Sequence, residues 1–351
     1  MANIQDVARL ARVSIATVSR VLNGTAYVEA EVAARVRAAA EELQYQPSRA
    51  ARTLRGKHSK VIGLLITDIQ NPFFTSLVRG VEDIAHRNGY SLILCNSDED
   101  ANKERQYIEV LCAERVAGAI AVPTRENQRT FKPFQEHHIP VVAVDRRVKD
   151  DKVDVVLVDN VRGAHEATAH LIANGYRRIG MISGPTTTTS GRERLEGYRL
   201  AFQEAGLVYD PALVRSGSFK EESGRELAYE LLDLKVPIDA LFCANNLMTL
   251  GALNAINEHN LRIPNDIALV GFDEVPWATL GSITTVTQPA YDIGSTAALR
   301  LFQRLQQKQT ATITRQEIVL APTFNIRNSS RPHQDIEADV FDTGVGRRDR
   351  S

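Results

Sequence analysis

Polar groups recur just past short apolar runs along this chain. Asp68 and Asn71 follow VIGLLIT (61–67), Asn96 and Asp98 follow SLILC (91–95), and Asp145 and Arg146 follow PVVAV (140–144). Asn245 and Asn246 follow ALFCA (240–244), Asp273 follows IALVGF (267–272), and Gln288 follows ITTVT (283–287). Carboxylates, amides and a guanidinium all grip hydroxyls through paired hydrogen bonds. Phe73 and Phe74 follow the first run and Phe219 lies in a later loop. An aromatic face takes the C–H side of a sugar ring while the polar groups take its hydroxyl edge. Any single Asp or Asn is equally well read as a helix cap. Groups of such different type at equivalent run ends point instead to one shared small-molecule site.

The first sixty residues suggest different chemistry. Ile4, Val7, Ala8, Leu10 and Ala11 have helical spacing, and Ser14 can cap a second helix, IATVSRVLN (15–23), stopped at Asn23-Gly24. A third helix is expected from about 29 to 43, with Val32, Val36, Ala39, Ala40 and Leu43 on one face. Two short, tightly joined helices braced by a third form a helix-turn-helix; an ordinary three-helix miniature domain is the alternative. Thr17, Ser19 and Arg20 face away from Val18, Val21 and Leu22. Small hydroxyl side chains let a helix enter a major groove, and an arginine can take guanine bidentately. In PSRAARTLRG (47–56), Arg49, Arg52 and Arg55 suit phosphates and Leu54 is an apolar wedge for a minor-groove step; a basic interdomain linker is the alternative. A helix there would have about two turns, too few to stand alone in water, so a partner must order it.

Other chemistries lack their residues. The histidines show no metal-ligand spacing and no serine–aspartate partnership, and are read as loop residues; no metal and no cofactor are expected. Neither G-x-G-x-x-G nor G-x-x-x-x-G-K-[ST] occurs, which speaks against nucleotide-dependent enzymology, and Thr186–Thr189 reads as a polar loop beside the cleft. Cys95, Cys112 and Cys243 are widely spaced and read as buried thiols of a reducing cytoplasm. No run of about 18 apolar residues suggests a membrane span, and the N-terminal residues lack the apolar core of a secretory signal. Trp277 reads as core or interface packing, or as a cover for the pocket.

These groups need a scaffold to converge. Nine strand-length apolar runs alternate with helical segments near 74–88, 101–114, 161–174, 191–205, 221–233, 246–259 and 291–307. Near-continuous apolar strands between helices mean parallel sheets covered on both faces, and so many strands imply two doubly wound subdomains. The chain has 351 residues and a net charge of −1, but residues 1–60 hold ten Lys/Arg against five Asp/Glu, leaving −6 on the other 291. That asymmetry fits a basic nucleic-acid-facing segment ahead of a soluble α/β core. The tail from Arg331, with mixed charge and little periodicity, is expected to be disordered over 331–351.

DVARLARVSIATVSRVLNG, LQYQPSRAARTLRG and VIGLLITDIQNPFF occur in that order. This succession resembles the LacI/GalR family of bacterial transcription regulators, and the likeness runs from residue 3 to about 329. It implies a helix-turn-helix headpiece at 1–46, a hinge helix at 47–60 that folds on palindromic operator DNA, a homodimer, and a core like those of periplasmic sugar-binding proteins, with one subdomain at 61–160 with 290–320 and a second at 161–289 with 321–330. The implied DNA-facing set is Ser14, Ile15, Ala16, Thr17, Ser19, Arg20, Asn23, Arg49, Arg52, Leu54 and Arg55. Within it Ile15, Ala16 and Arg20 fall at operator-reading positions, and paired Leu54 side chains would pry open the central base step. The implied effector set is Asn71, Phe73, Phe74, Asp98, Asp145, Arg146, Arg194, Phe219, Asn245, Asp273 and Gln288, most similar to ribose-type pockets. Arg146 and Arg194 would equally hold a sugar acid or phosphate. Asn246 departs from the family's usual Asn-Asp pair. The implied protein is a non-enzymatic cytoplasmic repressor; a sugar-binding protein without DNA function and an enzyme on the same scaffold are the alternatives.

Overall fold

The computed structural model describes residues 2–23, 26–45, 59–126, 129–307 and 314–332. The chain forms two compact units, Met1–Ser59 and Lys60–Ser351.

The first unit contains α1 (Ile4–Leu10), α2 (Ile15–Asn23) and α3 (Ala30–Glu42). Asn3 caps α1, accepting from the amides of Gln5 and Asp6 at 2.8 and 3.1 Å, while the Asn3 amide donates back to Asp6 at 3.0 Å. This reciprocal box satisfies donors that a helix start leaves open. Arg12 adopts φ +53° and ends α1, and the Val13 amide closes the turn onto Ala8 O at 3.0 Å. Val7, Ala8, Ala11, Val18, Val36, Ala39 and Ala40 form the small core. Ala33 takes the inward place expected of Val32, which is half-buried, because the stripe on α3 turns slightly from the expected face.

The second unit is built on two six-stranded sheets. The chain first lays down β1 (Val61–Ile66), β2 (Ser91–Asn96), β3 (Gly118–Ala121), β4 (Val141–Val144) and β5 (Asp154–Val158). It then crosses to form β6 (Ile179–Ser183), β7 (Val214–Ser216), β8 (Ala240–Cys243), β9 (Ala268–Phe272) and β10 (Thr284–Thr287). Finally β11 (Glu317–Leu320) returns to the first sheet and β12 (Thr323–Asn325) to the second. The orders are β11-β5-β4-β3-β1-β2 and β12-β10-β9-β8-β6-β7; every pairing is parallel except β12 against β10. Strands β3, β4, β5, β8 and β9 are buried along their whole length, as sheets covered on both faces require.

The helices are α4 (Pro72–Arg87), α5 (Ala101–Ala113), α6 (Lys132–Glu136), α7 (Asn160–Ala173), α8 (Thr189–Glu204), α9 (Glu221–Leu232), α10 (Asn246–Glu258), α11 (Pro276–Leu280) and α12 (Ala290–Gln306). Although α12 follows a strand of the second sheet, its Ile293, Ala297, Ala298 and Leu301 pack into the core of the first. Glycine lets it lie against α4: a Cβ on Gly80 would sit 2.2 Å from Tyr291 O, and one on Gly294 would sit 2.1 Å from Leu77 O. Arg300 and Arg304 each reach Asp154 at the start of β5 at 2.6 Å, so the returning helix is also tied by charge. The three cysteines are buried free thiols. Among the described residues, no helix is long and apolar enough to cross a membrane.

Candidate functional site

The carboxyl ends of the two sheets face each other across a cleft holding about 410 Å³ of empty space, part of it open to solvent. That is the scale of a small-molecule site. Ten of the eleven nominated effector residues line it: Asn71, Phe73, Phe74, Asp145, Arg146, Arg194, Phe219, Asn245, Asp273 and Gln288. Asp68, Glu99, Ser190, Ser218 and Lys220 complete the wall.

Local backbone chemistry aims these groups. Asn71 caps α4 by accepting from the Phe73 amide at 2.9 Å, and Asn245 caps α10 through the Met248 amide at 2.8 Å. Capping and ligand lining therefore coincide in the same residues. Asp145 and Asp273 leave β4 and β9 with φ of +65° and +78°. At Asp145 the Arg146 amide folds back onto Val144 O at 2.7 Å, a tight three-residue turn of strained type. Phe219 also has positive φ, +62°. The chain holds these costly conformations where side chains must turn into the cleft.

Opposite charges are interleaved across the floor. Arg146 meets Glu99 with both prongs, Nη1 to Oε2 at 2.7 Å and Nη2 to Oε1 at 2.6 Å. Arg194 donates from Nε to Asn160 at 2.8 Å and from Nη1 to Ala244 O at 2.6 Å, and lies 3.7 Å over the Phe272 ring. Gln288 Nε2 donates to Asp273 Oδ1 at 2.5 Å. Burial raises the pKa of both Asp145 and Asp273, with nearby arginines opposing it. Burial also lowers Arg194, whereas at Arg146 the same burial is overcome by Glu99 and the pKa rises.

The two halves also bond directly. Lys220 Nζ reaches Asp68 Oδ2 at 2.5 Å, and Asn246 Nδ2 donates to Asn71 Oδ1 at 2.8 Å. Arg192 reaches Glu126 at 2.7 Å, the Arg147 amide donates to Thr189 at 2.8 Å, and the Arg147 side chain pairs with Glu193. The departure at Asn246 makes sense here. Its side-chain amide donates to a carbonyl oxygen that already caps α4, and its backbone amide faces Asp273 Oδ2 at 3.4 Å. A carboxylate at this position would set an acceptor against the Asn71 carbonyl oxygen.

Asp98 is the exception among the nominated effector residues. It lies outside the cleft, half exposed, where it accepts from Asn96 at 2.7 Å and pairs with Lys103. Consecutive φ values of +51° and +61° at Asp98 and Glu99 deliver Glu99 to the cleft instead, and Asp100 caps α5. Proximity to the end of β2 marks the SDED segment, but alternation of side-chain direction cannot survive two left-handed residues. Trp277 packs on the core of the second half. Thr188 caps α8, and Thr189 and Ser190 are buried in its first turn, so that stretch is not wholly loop. Nor are all histidines loop residues: His86, His165, His170 and His259 lie in or at the ends of helices, where polar partners or solvent satisfy them.

In the first unit, Ser14 caps α2 by accepting from the Thr17 amide at 3.1 Å, and its hydroxyl lies 2.9 Å from that of Thr17. Val18 is fully buried, while Ser14, Ile15, Ala16 and Arg20 are exposed and Thr17 and Ser19 half-buried. Ile15 is 41% exposed, an apolar side chain held out at the start of a polar helix face. Asn23 is the last residue of α2. Arg49, Arg52, Leu54 and Arg55 lie outside the described residues, as does the chain beyond 332.

A helix-turn-helix unit followed by a two-sheet, sugar-binding-type core defines a class, the DNA-binding regulators of bacteria. Residues 3–48 match the family described as bacterial regulatory proteins, lacI family, and residues 59–328 match periplasmic binding proteins and the sugar binding domain of the LacI family. The chain belongs to the LacI family. It is 39% identical to a ribose operon repressor of Halalkalibacterium halodurans over 89% of this chain and 93% of that one. It is 34% identical to the HTH-type transcriptional repressor PurR of Aliivibrio salmonicida over 88% of this chain and 93% of that one. Among solved structures it is similar to the lac repressor dimer bound to operator and the anti-inducer ONPF, with a TM-score of 0.80 and 26% identity over 94% of this chain and 99% of that one.

Proposed function

We propose that the chain binds a palindromic operator as a homodimer, represses sugar-metabolism genes, and takes ribose or a similar monosaccharide as its effector. The observation that carries the effector reading is the convergence of four carboxylates, three cations, three amides and three phenylalanines on one cleft between the sheets. That composition suits polar-edged rings with apolar faces. The name of the Halalkalibacterium relative supports ribose as the first sugar to test. We assign operator reading to α2 through Ile15, Ala16, Thr17, Ser19 and Arg20, flanked by Ser14 and Asn23. Arg49, Arg52, Arg55 and Leu54 act from the segment that follows. We divide the core at the chain crossings, into 61–160 with 290–320 and 161–289 with 321–330.

The cleft is closed by polar contacts that water can replace, so the halves can part at modest cost. A sugar that binds the closed arrangement better shifts the core toward it, and operator affinity follows by linkage. Thermal-shift screening of the full chain with pentoses and hexoses tests the effector reading. A monosaccharide should raise the melting temperature as its concentration rises past Kd. A flat response to every sugar would contradict the reading. Electrophoretic shift with DNA from upstream of the gene tests the operator reading, and the absence of a specific complex at low salt would contradict it.

A further inference from the structure

The cations of the cleft are largely engaged by the protein, with Arg146 Nε buried and unbonded, whereas some of its acceptors have no partner. Glu99 takes both terminal nitrogens of Arg146, whose side chain is only 4% exposed. Arg194 has spent Nε and Nη1 on Asn160 and Ala244, so Nη2 can meet a single hydroxyl oxygen but no fork is left for a carboxylate. Lys220 is held by Asp68. By contrast, Gln288 Oε1 is buried without a hydrogen-bond partner. The Asp145 carboxylate has Arg146 Nε at 3.4 Å, an ion-pair contact too long to be a good hydrogen bond. Four carboxyl groups and three cations line the space. What is missing is a set of neutral donors. Hydroxyl groups supply them, while an anion would meet acceptors it cannot satisfy and a cation would meet three positive charges.

We propose that Glu99 is a specificity-determining residue: by occupying Arg146 it restricts the cleft to neutral polyhydroxy ligands and excludes those carrying a carboxylate or phosphate. The inference rests on the cleft being the effector site. An anionic ligand must either displace Glu99 from a two-pronged, largely desolvated pair or lie beside it uncompensated, and both are costly. Glu99 is suited to the task because its backbone, at φ +61°, aims it into the cleft from a turn that the flanking Asp98–Lys103 pair and the Asp100 cap hold in place.

The test is calorimetric titration of the full chain with ribose, ribonate and ribose 5-phosphate, followed by glucose, gluconate and glucose 6-phosphate. Wild type, Glu99→Gln and Glu99→Asp are compared. The wild type should bind a neutral sugar and reject its acid and phosphate. Glu99→Gln should bind the acid at least about tenfold tighter than wild type does, since the glutamine frees one prong of Arg146 and removes a negative charge. Glu99→Asp should keep the rejection, and it reports on the charge should the glutamine variant fail to fold. Wild-type binding of an acid or phosphate as tight as that of the neutral sugar would overturn the proposal. So would unchanged rejection by folded Glu99→Gln, or acceptance of the acid by Glu99→Asp. Silence of the wild type toward all six compounds would instead contradict the effector-site reading beneath it, and the proposal would fall with that reading.

Discussion

Lys220 and Asp68 belong to opposite halves of the core and meet at 2.5 Å across the mouth of the cleft. Asp68 follows β1 in the first sheet, and Lys220 precedes α9 beside the second. The pair therefore forms only when the halves are together. Because Lys220 is about one-third exposed, the attraction is worth no more than about 1 kcal/mol. Lys220→Met should weaken sugar binding by a factor of up to about five and leave operator affinity without sugar nearly unchanged. Calorimetry with the identified sugar measures the first and fluorescence anisotropy the second; sugar affinity equal to wild type would remove this pair from the closing contacts.

Asn246 presents a side-chain donor to Asn71 Oδ1. Asn246→Asp replaces its 2.8 Å bond to Asn71 with two facing acceptors and brings a negative charge toward Asp273. The expected result is a loss of thermal stability of about 1–3 kcal/mol, the cost of leaving buried groups unpaired. The loss should shrink on acidification as the new carboxyl takes a proton and becomes a donor. Melting followed by circular dichroism at pH 7 and pH 5 checks both the size and the trend.

Asp154 anchors α12 by accepting from Arg300, Arg304 and the Gln316 amide. Burial alone would raise its pKa, but hydrogen bonds from the two arginines outweigh it and the carboxyl titrates below its usual range. Its contribution is therefore full above the unfolded pKa of about 3.9 and is lost as pH falls through the lower folded value. Asp154→Asn should cost about 3–5 kcal/mol at pH 7, because two buried guanidiniums lose their countercharge. Urea unfolding from pH 7 downward should find wild type and variant converging at acid pH; a constant gap would contradict the assignment.

The roles proposed for Leu54 and the neighbouring arginines concern DNA alone. If Leu54 wedges a base step, Leu54→Ala should weaken specific operator binding by tenfold or more while nonspecific binding changes little. Arg52→Ala should lower both and flatten the dependence of binding on salt. Anisotropy titrations at several salt concentrations separate the two, and equal losses for Leu54→Ala on specific and nonspecific DNA would refute the wedge.

The alternation of apolar runs and helical segments made the two-sheet core legible, because parallel strands buried on both faces carry an unbroken apolar signal. The nine runs all appear as strands, from β1 to β10 without β7. The short edge strands β7, β11 and β12 and the five-residue helices α6 and α11 were not legible, since exposed edges and single turns carry little periodicity. The strand-end rule nominated seven of the residues that line the cleft, Asp68, Asn71, Asp145, Arg146, Asn245, Asp273 and Gln288, whereas Arg194 was reached only through the family resemblance. It failed at Asp98 because which of three consecutive acids enters the cleft depends on positive φ at two of them. Glu99 and Lys220 gain meaning only through partners 47 and 152 residues away, Arg146 and Asp68, and no local pattern reports such pairs.

On this proposal a sugar in the cleft is coupled to an operator on α2. The direct measurement is anisotropy titration of an operator duplex, recovered by selection from random sequence, with and without saturating sugar. Coupling predicts that the sugar changes operator affinity by at least about tenfold, and that operator changes sugar affinity by the same factor. Arg146→Ala, which leaves Glu99 without its countercharge in the cleft, should bind the duplex as wild type does without sugar, yet show no response to sugar. A sugar that binds the wild type tightly while operator affinity stays the same would contradict the account.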